Sequence, residues 1–231
     1  MTAARPIRRR TVRAAAGERA ARRPRRRIRL DNDARRAQLL ELGVKAFSER
    51  TYDEVSIDDI AKAAGISKGL LYHYFPAKRD LYVAGLSATA ADLLERTVTA
   101  ASPALPPLDR IRAGLDAYLD FVVAHARPFS ALLRGGIGSD PEVAGVVERT
   151  RTTYVDRLLT DADGTPLAAL GSGQAPMVRI ALRGWIGFVE ASSLEWLGSG
   201  MPERATLRDL LIDTLLSTLR TVLGPSTTGG W

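Results

Sequence analysis

Between Ser67 and Lys78 the chain reads SKGLLYHYFPAK, and most of its polar side chains suit one kind of chemistry. Read as a short helix, the stretch puts Ser67, Lys68, Gly69 and Leu70 in the first turn. The Lys68 ammonium can donate to guanine acceptors, and the Leu70 side chain can touch a thymine methyl. Gly69 costs a helix about 0.5–1 kcal/mol relative to alanine, but without a Cβ the backbone can come close to a partner. Tyr72, Tyr74 and Lys78 can bond phosphates. Two tyrosines two apart cannot both face one core on a helix, so at least one is expected outside. Leu71 and Phe75, four apart, belong on the buried side. His73 reads as a polar residue at a helix end, not as a catalytic base. Arg35 and Ser56, on preceding elements, join the same set of DNA-binding candidates.

The elements that must position these residues follow from caps and periodicity. Ser56 opens SIDDIAKAAG with Asp59 three residues on, a capping-box variant. Ile57, Ile60, Ala61 and Ala64 form its apolar face, and Gly65 stops it, since a left-handed helix end prefers glycine. Ser67 then caps the next helix. Two short helices joined at Gly65-Ile66 match a helix-turn-helix, whose second helix enters the major groove. Two helices around a glycine turn also occur in all-α proteins that bind no DNA.

Upstream, residues 34–49 place Leu39, Leu40, Val44 and Phe47 on one stripe at helical spacing. Downstream, helices are expected over about 77–100, 108–126, from Pro128 to the GGIG at 135–138, from about 142 to 162, at 177–197 and at 204–223. Ser139 with Glu142 reads as a further capping box. No period-2 alternation suggests a strand. The expected fold is all-α, about nine helices. A three-helix unit (33–76) that carries the helix-turn-helix precedes a larger helical body (77–224), with disordered tails at 1–32 and 225–231.

From Ser56 to Leu81 the chain resembles the TetR family of one-component transcriptional regulators, whose signature runs T-x-x-x-I-A-x-x-A-G-V-S-x-G-x-x-Y-x-x-F-x-x-K-x-x-L. Ile60, Ala61, Ala64, Gly65, Ser67, Gly69, Tyr72, Phe75, Lys78 and Leu81 match it. Ser56 stands for the threonine, Ile66 for the valine, and Thr51-Tyr52 for the common Gly-Tyr. The resemblance implies a homodimer on a palindromic double-stranded DNA operator, with the last two helices pairing as a four-helix bundle. It also implies a small-molecule effector sensed in the helical body, with repression by promoter occlusion the commoner mode.

The C-terminal sequence agrees independently with pairing. Ala181, Gly184, Phe188 and Ala191 on one helix, and Leu207, Leu211 and Leu215 on the last, are spaced for close helix approach. Ordinary core burial would use the same spacing. Phe121, Phe129, Leu133, Tyr154, Leu158, Trp185, Phe188 and Trp196 are candidate lining for a hydrophobic ligand, with plain core the alternative for any one of them. His125, Glu190 and Glu195 sit on otherwise apolar helices, suited to a ligand's polar group or to a structural hydrogen bond. SPALPP at 102–107 and GGIGSDP at 135–141 are the loops about which helices could shift.

Composition bounds what else the chain can do. The 231 residues carry a formal net charge of +7, but residues 1–30 hold 12 arginines and one acid, Glu18, leaving 21 basic against 25 acidic residues elsewhere. The tail reads either as an arm adding phosphate contacts or as an unselected extension before a mis-called start; both readings stay open. There is no cysteine, so disulfides and thiolate metal sites are excluded and a reducing cytoplasm is the expected home. Two histidines, His73 and His125, leave no multi-histidine metal site, and no cofactor is implied. No apolar run approaches a bilayer span. An enzyme lacks a nucleophile with a base, and ALGSGQAP at 169–176 does not have the P-loop pattern. A helical adaptor that lost DNA recognition is opposed by the intact Lys68, Gly69, Tyr72 and Lys78.

Overall fold

The computed structural model describes residues 24–134, 139–160 and 175–224, with side chains from residue 32 onward. Nine α-helices and no strand occur among them: α1 (Pro24–Glu49), α2 (Ile57–Ala63), α3 (Lys68–Tyr74), α4 (Lys78–Ala100), α5 (Pro107–Ala124), α6 (Ala126–Arg134), α7 (Pro141–Thr160), α8 (Ala175–Ser199) and α9 (Arg204–Leu223). None is long and apolar enough to cross a membrane. The expected all-α class and helix number agree with this order. Helix ends differ by one to three residues in most cases.

α1 differs more. It starts at Pro24, so residues 24–32 are helical where a disordered tail was expected. Proline suits a first helical position and arginine is a good helix former, so basic composition did not argue against helix there. Residues 1–23, the GGIG at 135–138, the Gly- and Pro-containing stretch at 161–174 and the end at 225–231 lie outside the described residues. The chain forms two compact units, Met1–Ala37 and Gln38–Trp231.

Within the second unit there are two hydrophobic cores. One, which we call the head, gathers Leu39, Phe47, Val55, Ile57, Ile60, Leu71, Phe75, Leu81 and Tyr82 from α1 to α4. Local chemistry fixes its turns. Ser56 Oγ accepts from Asp59 N–H at 3.4 Å, and Ser67 Oγ from Leu70 N–H at 3.2 Å. Gly65 between them has φ +66°, a left-handed conformation that side chains disfavour. α1 meets α4 at Gly43, where an added Cβ would lie 2.8 Å from Leu81 Cδ1 and the buried leucine would have to shift to admit it.

The second core, the body, joins Leu115 and Leu119 of α5, Val155 of α7, Val178, Leu182, Trp185, Ile186 and Val189 of α8, and Leu207, Leu211, Leu215 and Leu219 of α9. Trp185 Nε1 donates to Leu211 O at 2.9 Å, joining α8 to α9. α5 is tied to α9 by Asp116, which accepts from Arg204 and Arg208.

α7 belongs to both parts. Val143, in its first turn, is fully buried in the head core, while Val155 lies in the body core. Its cap corrects the capping box expected at Ser139. The helix starts at Pro141, so the adjacent Asp140 takes the position, and its Oδ1 accepts from Glu142 N–H at 2.9 Å and Val143 N–H at 3.3 Å.

Candidate nucleic-acid interface and effector cavity

α3 turns Leu71 into the head core at 0% exposure and presents the opposite face outward. Leu70 and Tyr72 are 41% and 36% exposed, and Tyr74 is half-buried, edge-on to His73 with ring centres 5.5 Å apart. The expectation that one tyrosine faces out agrees with Tyr72. An added Cβ at Gly69 would meet nothing nearer than Ser67 Oγ at 4.0 Å. The fold therefore has room for alanine there and gives no reason of its own for glycine.

The remaining candidates are more engaged than the sequence suggested. Lys68 Nζ donates to Asp58 Oδ2 at 2.9 Å, a bond from α3 back to α2 that raises the lysine's pKa. Lys78 Nζ lies 4.5 Å above the centre of the Tyr52 ring, a cation–π contact, and partial burial lowers its pKa. Ser56 and Ser67 are committed to caps. Arg35 is half-buried on α1. So Lys68, Gly69, Leu70 and Tyr72 share the outer side of α3, while Lys78 rests on Tyr52. Asp58 and Tyr52 are the residues sequence reasoning missed. Only the acidic first turn of α2, opposite a basic first turn of α3, signalled the former.

A cavity of about 710 Å³ opens between the two cores, walled mainly by α4, α5, α6, α7 and α8, with Phe47 and Tyr82 of the head and Leu215 and Leu219 of α9 at its edges. Phe121, Phe129, Leu133, Tyr154, Leu158 and Trp185 line it, as do His125 and Glu190. Phe188 and Trp196 do not, and their expected place in the lining is corrected. Phe188 is 37% exposed on the far side of α8. Trp196 packs on the body core and donates from Nε1 to Pro202 O. The α4 wall of Leu86, Ala90, Leu93 and Thr97 was missed, although its spacing of three and four was readable as a stripe.

Most of the cavity's polar groups are satisfied by the protein, while the Tyr118 hydroxyl, buried in the lining, meets no hydrogen-bond partner among the described residues. Arg151 holds Glu190 with Nη2 to Oε2 at 2.6 Å and Nε to Oε1 at 2.9 Å, and that bond raises the pKa of the arginine. Tyr154 and Thr97 share a hydrogen bond of 2.9 Å, and burial pushes the Tyr154 phenol up to about 12. His125 Nδ1 meets Phe121 O at 2.9 Å. No carboxylate, histidine or cysteine cluster that would hold a metal occurs among the described residues. The site therefore suits an apolar molecule of moderate size.

On the outside of α8, Met177 and Ile180 are 57% and 66% exposed, and Gly184 and Ala191 lie on the same open side with Phe188. α9 contributes Leu210, 50% exposed. Leu207, Leu211 and Leu215 are buried at 2% or less in the chain's own core, which corrects their expected place on a free face. Four-residue spacing put the leucines on one stripe but did not say which side of α9 the body covers.

Two family descriptions match the chain. Residues 39–84 match bacterial regulatory proteins of the tetR family, and residues 107–218 the tetracyclin repressor-like C-terminal domain. A crystal structure of a tetR-family transcriptional regulator from Streptomyces coelicolor is 34% identical, with a TM-score of 0.71 over 82% of each chain. The HTH-type transcriptional activator FasR of Mycolicibacterium smegmatis is 29% identical over 75% of this chain and 77% of its own. The regulator FadR from Bacillus subtilis, solved in complex with stearoyl-CoA, shares the fold at 17% identity, with a TM-score of 0.61 over 79% of this chain and 98% of that one.

Proposed function

The chain belongs to the tetR family of DNA-binding transcriptional regulators, and from that premise we propose that it binds a palindromic operator as a homodimer and is released by a small hydrophobic ligand. In this reading α3 enters the major groove, with Lys68 and Leu70 at base edges and Tyr72 at phosphate. Ser56, Ser67, Tyr74 and Lys78 complete the backbone contacts. The open faces of α8 and α9 carry the dimer through Ala181, Gly184, Phe188, Ala191 and Leu210. Glycine at 184 lets two copies of α8 approach closely, and Met177 and Ile180 supply the apolar area that burial would stabilise.

The observation that carries the ligand part is the course of α7. The same helix lines the cavity with Val146, Thr150 and Tyr154 and sends Val143 into the head core. A ligand that fits the cavity better in one head position than in the other shifts the population by that difference alone. The affinity of FadR for stearoyl-CoA is a property of that protein. Here, apolar walls and mostly paired polar groups argue for a predominantly hydrocarbon ligand, with the unpaired Tyr118 hydroxyl open to one polar group on it.

Repression, the mode implied by the family resemblance, stands beside activation, the mode named for FasR. Footprinting on the DNA beside the gene, repeated with a panel of hydrophobic compounds, tests the whole reading. It expects a protected palindrome that one compound class releases. Protection by a monomer, or none at all, would remove the proposal. A reporter on the same fragment separates the two modes.

A further inference from the structure

We propose that Asp58 is a specificity-determining residue that acts through Lys68, holding its charge back from phosphates until a matching base edge is offered. The inference rests on the reading of α3 as the recognition helix. Lys68 is the only cationic side chain in the first turn of α3; Ser67 is spent as the cap, Gly69 has no side chain and Leu70 is apolar. Its ammonium is tied to Asp58 Oδ2 at 2.9 Å. Both side chains are about half exposed, at 51% and 53%, so both can be reached from outside.

Non-specific binding to DNA comes from phosphate neutralisation and the release of counterions. A lysine already paired with a carboxylate is close to neutral seen from a phosphate, and releases no counterion until it leaves its partner. Leaving breaks a charge-assisted hydrogen bond and brings the freed carboxylate near the DNA. Random sequence offers only a phosphate in exchange. A guanine in register offers acceptors at N7 and O6 while the rest of the interface closes around it. Asp58 thus penalises wrong sequences more than the right one, which is how discrimination is gained without a new attractive contact. Asp59 does not share this role, because its carboxylate faces Arg50 at 3.9 Å.

The test uses the full-length dimer, the duplex recovered by in vitro selection from a random library, and a scrambled duplex of equal composition. Asp58→Asn should bind the scrambled duplex several-fold more tightly, with a salt slope steeper by about one phosphate. Its ratio of selected to scrambled affinity should fall by up to the same several-fold factor, because the selected duplex already draws Lys68 away from Asp58. Asp58→Ala should do the same, which guards against an effect peculiar to asparagine. In a Lys68→Ala background, Asp58→Asn should leave the ratio unchanged, because the two positions act as one unit. An unchanged ratio in Asp58→Asn, or an equal fall with and without Lys68, overturns the proposal. If Lys68→Ala alone binds the selected duplex as well as wild type, or if selection enriches no sequence, the recognition-helix reading itself fails.

Discussion

Arg79 grips Asp140 with two parallel hydrogen bonds, Nε to Oδ2 at 2.6 Å and Nη2 to Oδ1 at 2.7 Å, and its remaining arm reaches Glu142 Oε2 at 2.8 Å. Arg79 lies in the first turn of α4, directly after α3. Asp140 caps α7, which lines the cavity. The fork therefore joins the start of the head's last helix to the start of a helix that lines the cavity. Arg127 of α6 makes a second such link, to Glu54 in the turn before α2, at 2.7 Å. Forked geometry fixes direction as well as distance, so the pair holds the start of α7 against the start of α4 in a set orientation.

Replacing Arg79 with lysine should loosen that hold, since an ammonium cannot reproduce the fork. The expected outcome is operator binding close to wild type but a smaller response to the releasing compound, read by fluorescence anisotropy of labelled operator. A full response in Arg79→Lys and in Asp140→Asn would show that the signal travels by another route.

The same pair predicts a pH dependence. The Arg79 guanidinium holds the Asp140 carboxyl at about 2, below its ordinary 3.8. A carboxylate with a depressed value binds its proton less readily in the folded state than in the unfolded one. Its contribution is therefore complete above about pH 4 and is lost as pH falls through about 2. Thermal melts at intervals from pH 5 to 2 should show wild type losing stability faster than Asp140→Asn across that window. Parallel curves would contradict the assignment.

Gly69→Ala should separate stability from function. Alanine fits, because the nearest atom to its Cβ would be Ser67 Oγ at 4.0 Å. The variant should gain about 0.5–1 kcal/mol in urea unfolding. Its operator affinity should fall by about tenfold or more, roughly 1.4 kcal/mol, because the methyl group meets the DNA. A gain in stability with no loss of binding would mean that the backbone at Gly69 does not approach the groove.

Filling the cavity should fix the head in one position. Ala90 lies on the α4 wall, half-buried and facing the space that a ligand would take. Ala90→Phe should keep or slightly raise the melting temperature, since an empty volume receives apolar atoms. It should abolish the response to any compound that releases wild type. Calorimetry with that compound should show no binding heat. Retained release would place the effector site elsewhere.

The head was largely legible from sequence because its signals are local. The caps at Ser56 and Ser67, the left-handed Gly65 and the four-residue interval from Leu71 to Phe75 are each set by neighbours in the chain. Among the interface and site residues, what failed depended on partners distant in sequence. Leu207, Leu211 and Leu215 form an apolar stripe whether they meet α5 and α8 of their own chain or a second copy, and periodicity cannot tell the two apart. Phe188 was assigned to both cavity and interface for the same reason. Asp58 was legible as a first-turn acid of α2, but its bond to Lys68 depends on how α3 packs against α2, which no single-helix pattern encodes.

The open side of α8 gives the last prediction. Ile180, Gly184 and Phe188 follow one another at intervals of four, all outward, with nothing within 4 Å of a Cβ added at Gly184. A monomer would expose this apolar strip to water, and an exposed strip of that kind marks an association surface. Charging it should therefore act on assembly alone. Ile180→Glu with Phe188→Glu should leave helix content unchanged by circular dichroism, because both side chains point away from the body core. Sedimentation at micromolar concentration should find wild type at twice the 25.0 kDa of one chain and the variant at that single mass. Operator affinity should drop steeply with it, because a two-fold operator read by one head loses half its contacts. A wild type that sediments as a monomer, or a charged variant that still dimerises, would exclude this face as the interface.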